Sequence, residues 1–242
     1  MVERIVISQP MYFPWVGLLE QARLADVFVH YDDVQFSKGS FSNRVQVKTG
    51  HGIKWLTIPL RKHRLGQKIN EIIIDESKNW RGQHYDILRQ AYRNAPYKEE
   101  MLSIADEVFS IKSDKLVDIT IASFMVLVKY FGLDAGRQFI KSSQLAIAGE
   151  SSQRVHDIVL HFGGRVYITG HGAKNYLDHE LFERSEIEVR YVKYERREYP
   201  QLHGVFTPYV SALDLIANCG KDGKKYIVSE TVNWKEFLNG SH

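Results

Sequence analysis

Two apolar runs near the amino terminus lead directly into the polar and aromatic residues that are best suited to chemistry. Residues 5–7 lead into a loop that contains Pro and Gly, and residues 27–29 lead into a strongly polar segment. In an open α/β sheet, ligands bind outside the carboxyl ends of adjacent strands. We therefore predict that both runs are strands whose ends lie side by side and form one substrate site. The predicted site residues near these ends are Gln9, Tyr12, His30, Asp32, Asp33, Gln35, Lys38, Asn43 and Arg44.

Asp32 and Asp33 could serve a reaction in two ways. A carboxylate could hold a divalent cation that bridges nucleotide phosphates, because hard cations prefer oxygen ligands. It could instead act as a general base toward the amine or hydroxyl of a sugar. A carboxylate that merely caps a turn after a strand is the structural alternative. Adjacent side chains on an extended segment point to opposite sides, so we expect at most one of the pair to face the site.

Two histidines are the other catalytic candidates. His30 is expected at a strand end, where a neutral imidazole could move protons near neutral pH. His84 follows Trp80 by one helical turn and shares a helical stripe with apolar residues. Either ring could instead be a packed structural residue. None of the ten histidines falls in a His-x-x-x-His or Cys-His zinc spacing, so we predict no metal site.

Cationic side chains downstream of the carboxylates would suit a phosphorylated substrate. Arg can bind phosphate with two hydrogen bonds, and Lys offers a point charge. On a hairpin strand, Arg44, Gln46 and Lys48 would share one face, which could be a cationic stripe or only a solvated surface. Tyr12 is expected to be exposed, where its ring could stack on a base or sugar, whereas Trp15 is expected to be mostly buried.

A glycine-rich turn later in the chain could add backbone donors to the site. Gly170, His171 and Gly172 follow a predicted strand and precede a short predicted helix. Backbone amides at a helix start can bind an anion. The turn does not match a dinucleotide fingerprint or a P-loop. We predict Gly170 and the following Tyr176 as substrate-binding residues.

Alternating strands and helices must position these residues. The apolar patterns predict an α/β fold: a Rossmann-like, mostly parallel sheet with an inserted β-hairpin and a helical middle segment. The predicted strands are 4–8, 26–30, 68–74, 138–141, 166–169 and 187–191, with a hairpin of 41–48 and 54–60. The predicted helices are 15–24, 80–92, 97–109, 113–131, 152–161, a short one after Gly172, and 211–218. We expect a single α/β domain, 1–242, with possible lobes 1–95 and 133–242 joined by the helical segment 96–132, and a frayed end at 239–242.

The composition is that of an ordinary soluble protein. The net charge is +3, and Cys219 is the one cysteine, which excludes an intramolecular disulfide and fits a reducing cytoplasm. The sequence shows no leader pattern and no apolar run of about 18 residues that would span a bilayer. We therefore expect a cytoplasmic protein without membrane insertion and without a nucleic-acid partner. It would act on a small molecule and could form a homo-oligomer.

A set of motifs runs through nearly the whole chain. The early ones are Gln9-Pro10-x-Tyr12-x-Pro14-Trp15-x-Gly17, Ala25-Asp26-x-Phe28-Val29, Asp32-Asp33-Val34-Gln35-x-x-Lys38, Asn43-Arg44 and Trp55-Leu56-Thr57-x-Pro59. The later ones are Trp80-Arg81-x-x-His84, Ala95-Pro96-Tyr97, Tyr167-x-x-Gly170-x-x-Ala173-x-x-Tyr176 and Ser211-x-Leu213-Asp214-Leu215-x-x-Asn218-x-Gly220. This pattern resembles the WbqC-like protein family, whose members are often encoded among genes for bacterial O-antigen and other surface polysaccharides.

The resemblance implies a pathway, and the residues suggest three functions within it. The first is a transferase that adds an acyl or aminoacyl group to an amino sugar on a nucleotide or lipid carrier, with acyl-CoA as a possible donor. The second is a nucleotidyltransferase-like enzyme using a nucleotide with Mg²⁺. The first loop lacks the paired histidines usual for that chemistry, although Lys38 and Arg44 could substitute. The third is a non-catalytic sugar-nucleotide-binding protein.

Overall fold

The computed structural model describes residues 3–240, so Ser241 and His242 of the expected frayed end lie outside the described residues. Within it, eight strands build two sheets. They are β1 (Arg4–Ser8), β2 (Val27–His30), β3 (Arg44–Thr49), β4 (Gly52–Thr57), β5 (Gln138–Lys141), β6 (Val166–Thr169), β7 (Glu188–Lys193) and β8 (Glu230–Asn233). The helices are α1 (Val16–Leu24), α2 (Trp80–Ala91), α3 (Lys98–Phe109), α4 (Leu116–Tyr130), α5 (Ser151–His161), α6 (His179–Arg184), α7 (Ala212–Cys219) and α8 (Trp234–Asn239).

The central sheet has the order β5-β2-β1-β6-β7-β8 and is parallel except for β8. Counted within this sheet alone, the order is 3-2-1-4-5-6, which is the Rossmann order. The chain moves from β1 to β2 on one side and from β6 to β7 on the other. The direction of winding therefore changes between β1 and β6, which is where such sheets bind ligands. The mixed α/β fold with a mostly parallel sheet is as the sequence predicts.

Both faces of this sheet are buried, which explains why residues 5–7 of β1 are all apolar. Val6 and Phe28 point to one face, where α1, α4 and α7 pack in the larger core. Ile7 and Val29 point to the opposite face, where α5, α6 and α8 pack in the second core. The strand ends are thereby held between two helical layers.

The hairpin and the helical middle segment form one long insertion in the chain between β2 and β5. Strands β3 and β4 pair antiparallel, and α2, α3 and α4 follow. Val47 and Leu56 turn inward from the hairpin into the larger core, which also contains Val6. The insertion thus packs on the sheet through a shared apolar interior.

The strand predicted at 68–74 is wrong. This stretch forms a short 3₁₀ helix, Ile69–Glu71, followed by isolated bridges such as Leu60 with Ile74. The carboxylate of Glu71 accepts a hydrogen bond from the backbone N–H of Lys68 at 3.2 Å, which closes the turn. Ile69, Ile72 and Ile74, three of the four isoleucines that suggested a strand, are buried in the core from this irregular backbone. Strand β8 and helix α8 were not predicted.

No helix within residues 3–240 is long and apolar enough to cross a bilayer.

Candidate functional site

A cavity of about 1090 Å³ lies at the carboxyl ends of β1, β2, β6 and β7. The strands β1 and β2 are adjacent and parallel, with Ser8 opposite His30, so their ends lie side by side as the sequence predicts. Gln9 follows β1 and Asp33 follows β2, and both line the cavity. Gln35, Gly170 and Tyr176 line it as well. Five of the twelve residues predicted for the site therefore share one space.

Asp33 is held by two partners that were not predicted. Arg154, from the first turns of α5, donates a hydrogen bond to Oδ2 of Asp33, and Ser142 Oγ lies 2.5 Å from Oδ1. Both members of the ion pair are largely buried. Burial alone would raise the pKa of Asp33, but the hydrogen bonds from Arg154 and Ser142 outweigh it and hold that pKa below its usual value. Asp33 is thus an ionised, fixed group at the cavity wall.

Asp32 faces away from the cavity and is only 1% exposed. Ser143 donates two hydrogen bonds to it, from its backbone N–H to Oδ1 at 3.0 Å and from its hydroxyl to Oδ2 at 2.8 Å. Ser142 Oγ also lies 3.1 Å from Oδ1 of Asp32. This carboxylate joins the end of β2 to the turn after β5 and does not reach the ligand space. Asp33 lines the cavity and Asp32 does not, so one of the two aspartates faces the site.

His171 lies between Gly170 and Gly172 at the end of β6 and also lines the cavity. Its Nε2 is 2.8 Å from the carbonyl oxygen of Val192. A carbonyl can only accept, so Nε2 donates this hydrogen bond, and in the corresponding neutral tautomer Nδ1 is the acceptor. No hydrogen bond to Nδ1 occurs among residues 3–240. An imidazole oriented in this way is suited to accept a proton.

Gly170 permits the close approach of two polar side chains. A Cβ atom at this position would lie 3.0 Å from the Tyr194 hydroxyl and 3.1 Å from Gln21 Nε2. Gln21 donates a hydrogen bond of 2.6 Å to the Tyr194 oxygen, which leaves the phenolic proton free to donate. Burial raises the pKa of Tyr194 to about 12, so the hydroxyl stays protonated at neutral pH. Both side chains line the cavity.

Aromatic rings form one wall of the cavity. The ring of Trp15 lies 4.9 Å from that of Tyr194 and 5.9 Å from that of Tyr209. The guanidinium of Arg196 sits 5.4 Å from the Tyr209 ring centre. Trp15 is partly exposed here. Such a wall can stack on a base or sugar ring.

Positive charge dominates the cavity once its internal ion pair is set aside. The remaining charged side chains that line it are Lys68, Arg196 and Glu150. Neither cation forms an ion pair within the described part of the chain. The amino-terminal end of α5, from Ser151, also lies at the cavity and adds the positive end of a helix dipole. An anionic ligand is therefore favoured.

Tyr12 and His84 lie outside the cavity, and the expectation that Tyr12 is exposed is wrong. Tyr12 is fully buried, and its hydroxyl is 2.9 Å from Nδ1 of His84. Both rings pack edge-on against Trp80. Burial lowers the pKa of His84 to about 4, although a hydrogen bond with the Thr57 backbone opposes this shift. Tyr12 and His84 therefore form a hydrogen bond between two neutral side chains inside the larger core.

His30 is also a core residue, 3% exposed. Its ring lies among Phe28, Phe124 and Phe139, and Nε2 has no hydrogen-bond partner within the described residues. Burial lowers its pKa to about 4, with a smaller contribution from the charge of Lys141. His30 does not line the cavity.

The predicted hairpin residues also lie away from the cavity. Asn43 is buried and donates a hydrogen bond of 3.0 Å to the Ile58 carbonyl, which joins the two ends of the hairpin. Arg44 stacks on Trp55 at 4.3 Å, and Lys38 is exposed on the preceding loop. Lys48, expected in a cationic stripe with Arg44, is 5% exposed and bonds to the carbonyl oxygens of Gly204 and Val205.

Three of the cavity residues that the sequence analysis did not select lie just past the ends of strands, as Gln9 and Asp33 do. Tyr194 comes directly after β7 and Arg196 two residues later, and His171 is the second residue after β6. Applying the strand-end rule to these later strands would have found them. Arg154 had no such signal, because it lies on a helix and meets Asp33 only when β5 pairs with β2.

Residues 3–240 contain no group of three His, Cys, Asp or Glu side chains that could hold a metal ion.

Comparison with known proteins gives a family. The WbqC-like protein family matches residues 9–226. The uncharacterized protein Rv1507c of Mycobacterium tuberculosis is 28% identical over 229 residues, which cover 93% of this chain and 98% of that protein. No solved structure matches. Because the family match spans most of the sequence, the chain belongs to the WbqC-like protein family.

Proposed function

We propose that this chain is a transferase of bacterial surface-polysaccharide assembly. It would bind an amino sugar on a nucleotide or lipid carrier and transfer an acyl or aminoacyl group to the amine. The observation that carries the proposal is the cavity at the winding change of the sheet, with a carboxylate, an oriented imidazole, aromatic rings and two unpaired cations. Its volume of about 1090 Å³ is at the upper end for small-molecule sites and leaves room for donor and acceptor together. Family membership supports the pathway.

The residues have separate tasks in this proposal. Lys68 and Arg196 bind the phosphates of the carrier, and the rings of Trp15 and Tyr209 pack on its base or sugar. Gln9 and Gln35 hydrogen-bond the hydroxyls of the sugar, and Gly170 and Tyr176 border the same space. The donor is an activated acyl thioester or ester.

His171 is the proposed general base, and Asp33 the proposed partner of the amino group. The amine nitrogen attacks the acyl carbon and forms a C–N bond, while Nδ1 of His171 takes the proton that the nitrogen loses. The C–S or C–O bond of the donor breaks, and His171 returns the proton to the departing thiolate or alkoxide. Asp33 attracts the amine before attack, and Arg154 is a positioning residue that holds Asp33 in place.

Mass spectrometry of reaction mixtures tests the proposal. Purified protein is incubated with UDP- and dTDP-linked amino sugars and acetyl-CoA or other activated acyl donors. A product heavier by the acyl group is expected, formed about a thousandfold more slowly by His171→Ala. Asp33→Asn is expected to raise KM more than it lowers kcat, and Lys112→Gln, at an exposed site, serves as the control.

Three results would contradict the proposal. If the His171→Ala variant formed product as fast as the wild type, His171 would not be the general base. Pyrophosphate released from a nucleoside triphosphate would support nucleotidyl transfer. A rise in melting temperature with sugar nucleotides, without product from any donor, would support a binding protein.

A further inference from the structure

Residues 34–70, here named the basic segment, carry a charge unlike that of the rest of the chain. They contain eight Lys and Arg and no Asp or Glu. The whole chain has 32 Lys and Arg against 29 Asp and Glu, so the other residues have 24 against 29. The positive charge of the protein is therefore concentrated in this one segment.

Most of these cations are free to meet a partner. Lys48 is buried, but Lys38, Lys54, Arg61, Lys62, Arg64 and Lys68 are exposed and Arg44 is half-buried. None of these seven forms an ion pair with any residue in 3–240. A surface of unpaired cations without acidic neighbours in its own segment is complementary to a polyanion.

Large apolar side chains stand exposed among these cations. Leu65 is 93% exposed on the loop between Arg64 and Lys68. Phe41, Ile53 and Trp55 are exposed on or beside the hairpin, with Phe41 and Trp55 in ring contact at 5.9 Å.

The two parts of this surface are continuous. Gln35 and Lys68 form an isolated antiparallel β-bridge, and the N–H of Phe36 donates a hydrogen bond to the carbonyl of Gln67. The loop of 60–68 therefore lies beside residues 35–36. The chain then runs through Lys38 to Gly39. Gly39 lies next to Arg44 of the hairpin, because a Cβ atom built on Gly39 would be 3.4 Å from the Arg44 guanidinium.

We propose that the basic segment docks this protein on an anionic lipid bilayer. Clustered Lys and Arg bind acidic headgroups, and Trp, Phe and Leu side chains enter the boundary between headgroups and acyl chains. Two exposed aliphatic side chains, Leu65 and Ile53, distinguish this surface from one that binds RNA. Leu65 and Ile53 have no flat face on which a base could stack. One face of Trp55 is already covered by Arg44.

Docking would place the cavity next to the membrane surface. Gly66 and Lys68 belong to the basic segment and also line the cavity. A substrate on a lipid carrier could thus reach the cavity from the bilayer. The docking itself goes beyond the proposed function and requires no turnover.

Vesicle flotation with the chain of residues 1–242 tests this proposal. Binding to vesicles of phosphatidylcholine with phosphatidylglycerol is expected, with little binding to phosphatidylcholine alone and a marked loss as salt rises. The triple variant Arg61→Gln, Lys62→Gln, Arg64→Gln should bind about a hundredfold more weakly, at about fivefold for each cation. Leu65→Ser should weaken binding at every salt concentration.

The matched control is Arg93→Gln, Lys112→Gln, Arg165→Gln, which removes the same charge from exposed sites outside the basic segment. All variants change exposed side chains, and equal melting temperatures would show that they fold alike. Equal losses in control and triple variant would mean that net charge alone drives binding, which would overturn the proposal. Binding of the wild type to bulk tRNA but not to anionic vesicles would overturn it in favour of RNA.

Discussion

His171 and Asp33 follow strands on opposite sides of β1, and each is fixed by a different kind of partner. The Val192 carbonyl fixes the tautomer of His171, whereas Arg154 and Ser142 fix the charge of Asp33. A base and a carboxylate with separate supports can act on one substrate in different roles. At the level of single residues, the proposed reaction therefore depends on the Arg154–Asp33 pair as much as on the imidazole.

Substitution of Arg154 should show how much the Arg154–Asp33 ion pair contributes to the free energy of unfolding. Arg154→Met leaves a buried carboxylate without its counter-ion, so we expect the free energy of unfolding to fall by about 3 kcal/mol in a denaturant titration. The double variant Arg154→Met, Asp33→Asn removes both charges and should lose less than the sum of the single changes. Arg89→Met is the control, because its exposed pair with Asp86 should contribute under about 1 kcal/mol. Additive losses would contradict a coupled pair.

His30 should make the protein less stable in mild acid. Its pKa is about 4 in the fold and about 6.5 when unfolded, so between these values only the unfolded chain takes up the proton. The stability contributed by the neutral ring is complete above pH 6.5 and is lost as the pH falls toward 4. His30→Phe should remove roughly 2 kcal/mol of this loss and fit among the neighbouring phenylalanines. A variant whose unfolding free energy keeps the wild-type slope between pH 7 and 4 would refute this explanation.

At the element scale, the hairpin and the loop before α7 stabilise each other. Lys48 reaches from β3 to the carbonyl oxygens of Gly204 and Val205 and to Gln201 Oε1 at 2.9 Å. Gln201 in turn donates to Asp214, a fully buried carboxylate that also accepts from the hydroxyl of Tyr199. This network connects the hairpin to α7.

Lys48→Met should loosen that connection. The change removes three hydrogen bonds and takes the Lys48 donor from the carbonyl oxygens of Gly204 and Val205, so we expect a loss of about 2 kcal/mol in unfolding free energy. Amide hydrogen exchange should speed up in residues 201–205. Lys54→Met, on the exposed end of the partner strand, is the matched control and should change neither quantity. Unchanged exchange in the Lys48 variant would show that the network does not hold the loop.

The sequence predicts elements and strand ends better than it predicts contacts between distant residues. The uninterrupted apolar runs at β1 and β2 are enough to place Gln9 and Asp33 at one edge of a sheet. Arg154 is 121 positions from Asp33, and only the pairing of β5 with β2 brings them together. The sequence around Tyr12 suggested an exposed ring that stacks on a ligand. The ring is buried instead, and His84 of α2 is the hydrogen-bond partner of its hydroxyl.

At the scale of the whole molecule, one core connects the hairpin, the helical middle segment and one face of the sheet. Val45 of β3, Leu127 of α4 and Val6 of β1 belong to the same buried cluster. The second core, on the other face, contains the neighbouring residues Ile5 and Ile7 of the same strand. Neither core can be lost without exposing β1.

We therefore expect the chain to unfold in a single transition, which also tests the expectation of one domain. The four tryptophans report on different regions: the cavity, the hairpin, α2 and α8. Fluorescence of variants that each keep one tryptophan should give the same urea midpoint as far-UV circular dichroism. A separate, earlier transition at Trp55 would instead assign the hairpin to an independent unit.

The place of the substrate can be tested with a crystal structure grown with UDP-N-acetylglucosamine or another sugar nucleotide that raises the melting temperature. We expect the ligand in the cavity at the ends of β1, β2, β6 and β7, with its phosphates at Lys68 or Arg196 and its sugar within reach of Gln9, Asp33 and His171. A ligand bound at α7 or on the outer face of the hairpin, with the cavity empty, would show that the substrate does not bind at these strand ends.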